Sequence, residues 1–446
     1  MVAGAIIMKV NSYDIDNETT VAVVGLWHLG SVTAACMANA GYKIIAYDPD
    51  LAVIENLKNG IPPIFEPGLE ELVNTCIKSG KLKFTNRKEE LKDADIIWVT
   101  FDTPVDDDDK ADVEFVTEQV MSIFSCFKTD ATVLISSQLP VGSTKLLQTR
   151  YQNQFPKSNV RFAYSPENLR LGKAINVFTH PDRIVIGVDV EATKLKLAKL
   201  LLPFTSNIEW MSIPSAEMTK HALNAFLATS VVFINELASL CEQVGADASE
   251  VERGLKSESR IGKTAYLKPG NAFAGGTLAR DVSFLIQIGK QQHLPTELFS
   301  AVIESNNVHR SWAQRRLSDV LGPLSGKTIA ILGLTYKPGT DTLRRSAAIE
   351  TCRVLQQQGV NVVAYDPVVK TLPDKLKTII SLQETVQDAI QNADAAVIAT
   401  EWPEFKTLTT DDFIGKLKQP LLFDANGFLA KNINQNMCYF TVGRGV

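Results

Sequence analysis

Gly25-Leu26-Trp27-His28-Leu29-Gly30 follows a short β-branched run and opens a helix-like segment. Glycines at the first and last positions, with an acid (Asp48) about 20 residues on, frame a turn that holds a dinucleotide. In such a turn the helix amides meet the pyrophosphate and the acid takes the ribose hydroxyls. The middle glycine, which lets backbone approach the pyrophosphate, is replaced by Trp27. A βαβ unit that binds no nucleotide is the alternative reading.

Three further groups could carry chemistry. Lys220 and Asn224 stand four apart in a long helical stretch and share a face, although a lysine there is more often a solvated surface charge. Gly275-Gly276-Thr277-Leu278-Ala279-Arg280-Asp281 has enough glycine for backbone amides to meet a ligand. Lys337, Arg344 and Arg345 lie beyond a strand ending at Gly333, where open α/β sheets bind ligands, and suit either a diphosphate or a solvated basic loop.

The elements needed to position these groups are legible in the pattern. Thr20 to Gly25, a helix from Gly30 to about Ala40, and Lys43 to Asp48 read as a βαβ start. Later strands are expected at Ile96–Thr100, Val133–Ser136 and Arg183–Val188. The plan recurs as a strand (Lys327–Gly333), a helix (Ser346–Gln358) and a strand (Asn361–Asp366). Both copies carry AYDP, at Ala46–Pro49 and Ala364–Pro367, and ADIIWVT at Ala94–Thr100 echoes ADAAVIAT at Ala393–Thr400. Two echoes in the same order argue for a duplicated nucleotide-binding fold. Between them, Pro214 to Val244 reads as one helix ended by Gly245, and Ser257 to Asp281 as a Gly- and Pro-rich loop. The expectation is an α/β protein of two Rossmann-like doubly wound domains joined by a long central helix. Its regions are 1–205, 206–310 and 311–446.

Bulk properties exclude other classes. A net charge of −5 argues against a nucleic-acid partner, which needs a local excess of Lys and Arg. No stretch reads as the roughly 20 apolar residues that span a bilayer, so no membrane role is expected. Cysteines at 36, 76, 126, 241, 352 and 438 form no CxxC pair, which supports neither a metal site nor a disulfide framework and leaves the cytoplasm as default compartment.

In order, the segments resemble the UDP-glucose/GDP-mannose dehydrogenase family from Thr20 onward. They include FEPGLEEL (Phe65–Leu72), DTP (Asp102–Pro104), LPVGST (Leu139–Thr144), SPENLRLGKAI (Ser165–Ile175), PDRIVIG (Pro181–Gly187) and AEMTKHALNAFLA (Ala216–Ala228). RIG (Arg260–Gly262), GLTYKPGTDTLRRSAAIE (Gly333–Glu350), ADAAVIATEWPEF (Ala393–Phe405) and FDANGF (Phe423–Phe428) complete the series.

The resemblance implies oxidation of a sugar C6 alcohol by two hydride transfers to NAD. Asp48 favours NAD over NADP, because an acid repels a 2′-phosphate. Glu167, Lys220, Asn224, Thr277 and Asp281 fall at catalytic positions. Asp281 would help a water remove the hydroxyl proton, and Lys220 would stabilise the oxyanion. Gly25, Leu29, Gly30, Asp48, Thr103 and Arg344 match cofactor positions. Arg260, Phe273, Gly275 and Lys337 match substrate positions, with Arg260 reaching from a partner subunit of a homodimer or higher homo-oligomer.

Departures fall where the chemistry should be. The family's Tyr-Gly-Gly-Ser-Cys-Phe-Pro-Lys-Asp loop reads Phe273-Ala-Gly-Gly-Thr-Leu-Ala-Arg-Asp281, so Thr277 stands where the thioester-forming cysteine belongs. A hydroxyl is a much weaker nucleophile than a thiolate unless a base activates it. Gln138 replaces a threonine that would organise the catalytic water, Leu171 an acid, and Ala425 a substrate-binding arginine. Three readings follow: a divergent nucleotide-sugar oxidoreductase that works without the thiol, a nucleotide-sugar-binding paralogue without turnover, and a related β-hydroxyacid dehydrogenase. The last has no need of the complete second Rossmann unit.

Overall fold

The computed structural model describes residues 19–104, 111–167, 169–274 and 276–444. The chain divides into two compact units, Met1–Ala222 and Leu223–Val446.

In the first unit the described strands are β1 (Thr20–Val24), β2 (Lys43–Tyr47), β3 (Leu82–Thr85), β4 (Ile96–Val99), β5 (Thr132–Ile135), β6 (Arg161–Tyr164), β7 (Ile184–Gly187) and β8 (Ile208–Met211). They form one sheet in the order β3-β2-β1-β4-β5-β6-β7-β8, parallel except where β6 meets β7. Alternate residues of β1 feed opposite layers: Val21 and Val23 pack with the helix His28–Asn39, Ala22 and Val24 with Val116, Val120 and Leu147. Such two-sided burial is why the strand reads as a continuous apolar run.

The second unit repeats the plan with β9 (Thr328–Leu332), β10 (Asn361–Tyr365), β11 (Ile380–Leu382), β12 (Ala395–Ile398), β13 (Leu421–Phe423) and β14 (Cys438–Phe440). Their order is β11-β10-β9-β12-β13-β14, all parallel. Both sheets therefore carry the doubly wound arrangement in which ligands sit at the carboxyl ends of the strands. The expected elements are present within a residue or two.

The sequence echoes are matched by bonding. Asp95 accepts the Thr20 N–H at 3.0 Å and pairs with Lys128 at 2.6 Å. Asp394 accepts the Thr328 N–H at 2.8 Å and pairs with Lys418 at 3.0 Å. Ser31 donates to the Leu26 carbonyl at 2.8 Å, and Ser346 to the Leu334 carbonyl at 2.6 Å. Each unit thus closes its first turn with the same residue types.

The helix Ile213–Val244 runs unbroken through the boundary between the units. At 32 residues it is about 48 Å long. By length and composition this helix could cross a membrane, contrary to the sequence expectation. Part of its surface enters the two cores. Ile213 and Ala216 join the first unit's core, and Ala238 and Cys241 the second's. Polar side chains at Glu217, Lys220, His221, Asn224 and Asn235 are buried.

A second correction concerns the stretch expected as loop to Asp281. Helix Ala248–Ser257 precedes it, and a new helix starts at Thr277 and continues to Gln291. Gly276, at φ +99°, makes the turn into that helix, a start with no Ser or Asp side-chain cap to announce it.

Candidate active site

The glycine turn of the first unit is built for close packing. A Cβ on Gly25 would lie 2.6 Å from the Phe101 amide, and one on Gly30 only 1.9 Å from the Gly25 carbonyl. Trp27 has φ −71° and an exposed indole, so the residue in place of the middle glycine is unstrained. Helix His28–Asn39 starts directly after it, with Leu29 half-buried in the first turn. Asp48 accepts the N–H of Leu26 at 2.8 Å and of Asp50 at 3.0 Å. Burial raises its pKa against the opposing pull of those two amides.

The corresponding acid of the second unit differs in availability. Asp366, 1% exposed, accepts the N–H groups of Leu334, Thr335, Val368 and Val369 and the indole of Trp402, all within 3.2 Å. A carboxylate offers about four lone-pair sites, so this one is saturated. Asp48 keeps capacity for a ribose, and the turn, helix terminus and acid of the first unit fit NAD. The second unit instead extends its turn through residues 334–346. There Lys337 is half-buried, Arg344 exposed, and Arg345 left-handed at φ +60°. The Arg345 guanidinium comes within 3.9 Å of a Cβ built on Gly276.

Around the carboxyl ends of β4 to β6, Thr103 donates to the Gln138 carbonyl at 2.7 Å. Lys220 is 7% exposed, and its ammonium donates to the Glu167 carbonyl at 2.5 Å with the Glu167 carboxylate 3.9 Å away. Glu217, one turn earlier, accepts the N–H groups of Gly142 and Thr144 at 2.6 and 2.9 Å. Sequence reasoning passed over Glu217, and also over Glu66. The Glu66 carboxylate takes the His28 imidazole at 3.0 Å and the N–H groups of Gly172 and Ala174 at 2.7 and 2.8 Å. It therefore ties the glycine turn to the segment after Glu167. An acid beside the Pro-Gly turn at 67–68 was the available signal.

In the second unit Asn224 donates to the Asp281 carboxylate, and both residues are buried. Thr277 is exposed as the first residue of its helix, and Phe273 is buried just before it. Gly275 lies outside the described residues. Arg260 is exposed and pairs with Glu258 at 3.1 Å. Ala425 is buried, while its neighbour Asn426 donates to Glu401 at 2.5 Å and accepts the Asn271 N–H at 2.8 Å. Burial pushes Cys76 up to about 11, Cys352 up to about 12 and Cys36 higher still, leaving these cysteines protonated. No cluster of His, Cys, Asp or Glu able to hold a metal occurs among the described residues.

Known proteins place the chain in context. Residues 19–205 match the NAD-binding domain, 214–308 the central domain and 330–431 the UDP-binding domain of one family model set. UDP-glucose 6-dehydrogenase TuaD of Bacillus subtilis is 35% identical over 434 residues, 95% of this chain and 93% of that protein. UDP-glucose 6-dehydrogenase of Rhizobium meliloti is 33% identical over 95% of this chain and 99% of its own length. The solved structure of a UDP-glucose dehydrogenase from Pyrobaculum islandicum superposes with a TM-score of 0.84 at 28% identity, covering 96% of this chain and 98% of that one. With the doubled Rossmann plan, the dinucleotide turn and these matches along its length, the chain belongs to the UDP-glucose/GDP-mannose dehydrogenase family.

Proposed function

We propose that this protein oxidises a nucleotide sugar of the UDP-glucose type at its C6 alcohol with NAD, and does so without a thioester. The observation carrying this reading is the pair of buried polar anchors one turn apart on the shared helix: Lys220 on Glu167, and Asn224 on Asp281. Neither is the solvated surface group that a vestigial site would tolerate. When bound, NAD accepts the hydride that leaves the sugar carbon.

The chain's own residues handle the protons and the charge. Asp281, through a water, takes the hydroxyl proton, and Lys220 stabilises the oxyanion that forms. Loss of that proton and of a hydride from C6 gives the aldehyde. Water adds to the aldehyde to give a gem-diol, and its loss of a further proton, and of a hydride to a second NAD, gives the uronic acid with no bond to residue 277. Thr277 is exposed, and its hydroxyl is a much weaker nucleophile than a thiolate, which suits this route better than nucleophilic attack. Lys337 and Arg344 are assigned to ligand binding, whereas the Phe273 ring, expected at a substrate position, packs in a core with Ala225, Val282, Leu285 and Val302.

An apolar stripe on the shared helix supports a homodimer: Phe226, Phe233, Leu240 and Val244 are each at least half exposed. Exposed Arg260 suits delivery to a partner's substrate. Trp27 and Thr277 favour the second reading, a paralogue that binds nucleotide sugars without turning them over.

The test is NADH released per sugar with limiting UDP-glucose and excess NAD, followed by other nucleotide sugars. Two NADH per sugar establish the four-electron route. One, with a trappable aldehyde, makes the enzyme an alcohol dehydrogenase. None across the panel, with nucleotide-sugar binding intact, leaves the paralogue.

A further inference from the structure

The backbone from Gly270 to Phe273 leads into the Gly276–Thr277 turn but belongs to no helix or strand. Buried peptide groups outside secondary structure need partners from elsewhere, and here side chains supply them. Gly270 donates its N–H to Asn235 at 3.0 Å, and its carbonyl meets the His309 imidazole at 2.8 Å. Asn271 donates its N–H to Asn426 at 2.8 Å, and its carbonyl accepts from Asn235 at 3.4 Å. Phe273 is held at both ends by one residue. Its N–H donates to Asn306 Oδ1 and its carbonyl accepts from Asn306 Nδ2, both at 2.9 Å.

Asn306 sits on helix Glu297–His309 and is 2% exposed. Its amide offers an acceptor and a donor side by side, so it pairs with Phe273 as a neighbouring strand would. The consequence passes through the Phe273 ring. That ring packs in a small core with Ala225, Val282, Leu285 and Val302. Ala225 follows Asn224 and Val282 follows Asp281, so the clasped phenylalanine braces the residues next to both members of the Asn224–Asp281 pair.

We propose that Asn306 is a positioning residue for the oxidation: by clasping the Phe273 peptide it sets the Thr277 turn and the Asn224–Asp281 pair in reacting register. The inference rests on the proposed function for its activity readout, whereas the clasp itself can be judged without turnover. Hydrogen exchange of amides 270–276 and steady-state kinetics with UDP-glucose are measured on Asn306→Ala and Asn306→Asp, alongside NAD titration.

In Asn306→Ala the Phe273 amide is expected to exchange at least tenfold faster. Its kcat falls tenfold or more, while KM moves by less than threefold and NAD affinity by less than twofold. Asn306→Asp keeps the acceptor for the Phe273 N–H but loses the donor to its carbonyl, and falls between Asn306→Ala and the parent in both readouts. Unchanged exchange in both variants overturns the clasp. Faster exchange with kcat within twofold of the parent overturns the positioning role. If Asn306→Ala fails to fold, judged by lost NAD binding, the isosteric Asn306→Asp decides by the same criteria. If the parent protein releases no NADH with any nucleotide sugar, the functional reading and the positioning role fall together, and exchange alone judges the clasp.

Discussion

Lys220 is held by the backbone of Glu167 more closely than by its charge: the ammonium is 2.5 Å from the carbonyl and 3.9 Å from the carboxylate. Glu167→Gln keeps the carbonyl and should leave kcat within about tenfold of the parent. Lys220→Ala removes the oxyanion partner and should lower kcat by about 10² to 10³. Equal losses in the two variants, read from initial NADH release, would show that the carboxylate charge places the lysine.

The glycine turn predicts opposite outcomes at two neighbouring positions. Gly30→Ala drives a methyl to 1.9 Å from the Gly25 carbonyl and should abolish NAD binding by calorimetry. Trp27→Gly opens the backbone to the pyrophosphate from an unstrained position and should tighten NAD binding up to about tenfold. Weaker binding in Trp27→Gly would mean that the indole itself contacts the dinucleotide.

Thr277 separates the two oxidation routes. Thr277→Ala should leave the second NADH equivalent, where the parent releases one, within about threefold of the parent rate, because the hydrated-aldehyde route forms no bond to this residue. Thr277→Cys should add a thiohemiacetal route and raise the yield toward two NADH per sugar wherever the parent stops at one. A Thr277→Ala enzyme that still releases the first NADH but loses the second would make the hydroxyl the nucleophile.

Acid stability should depend on the twin aspartates. Burial raises the pKa of Asp95, but Lys128 and the Thr20 amide outweigh it and hold the carboxyl below its ordinary value. Burial likewise opposes the Thr328 amide and Lys418 at Asp394, with the same net lowering. A carboxyl whose pKa is depressed by folding stabilises fully above its unfolded value near 4, and that stability is lost as pH falls through the folded value. Asp95→Asn and Asp394→Asn should therefore each cost about 1 kcal/mol at pH 7 and flatten the fall of Tm below about pH 4. An unaltered acid limb in both variants would place the acid-sensitive groups elsewhere.

The exposed stripe on the shared helix gives a solution test. Phe233→Glu places a charge in its middle and should convert a dimer to monomer by light scattering at micromolar concentration. An unchanged mass would locate the assembly surface away from this helix, and a monomeric parent would remove the dimer reading.

Strands and helices with two-sided burial were legible because their apolar runs end at glycine, as at Gly25 and Gly333. The AYDP and ADIIWVT echoes pointed to the duplication, and the aspartates of the second echo, Asp95 and Asp394, make matching bonds. The start of the helix at Thr277 was not legible, since Gly276 enters it by a left-handed turn and no side chain caps it. Asn306 and His309 escaped notice for a different reason. They follow Val302 at helical spacing on one buried face, and polar residues at core positions declare themselves only when the backbone they satisfy is known. Glu66 was similar: its three partners come from segments 38 and about 106 residues away.

The boundary at Ala222 and Leu223 falls inside an unbroken helix. A chain severed there would leave Lys220 in the last turn of one fragment and Asn224 in the first turn of the other, where intrahelical bonds are missing and ends fray. Either half taken alone would carry one of these two helix residues and lack its neighbour.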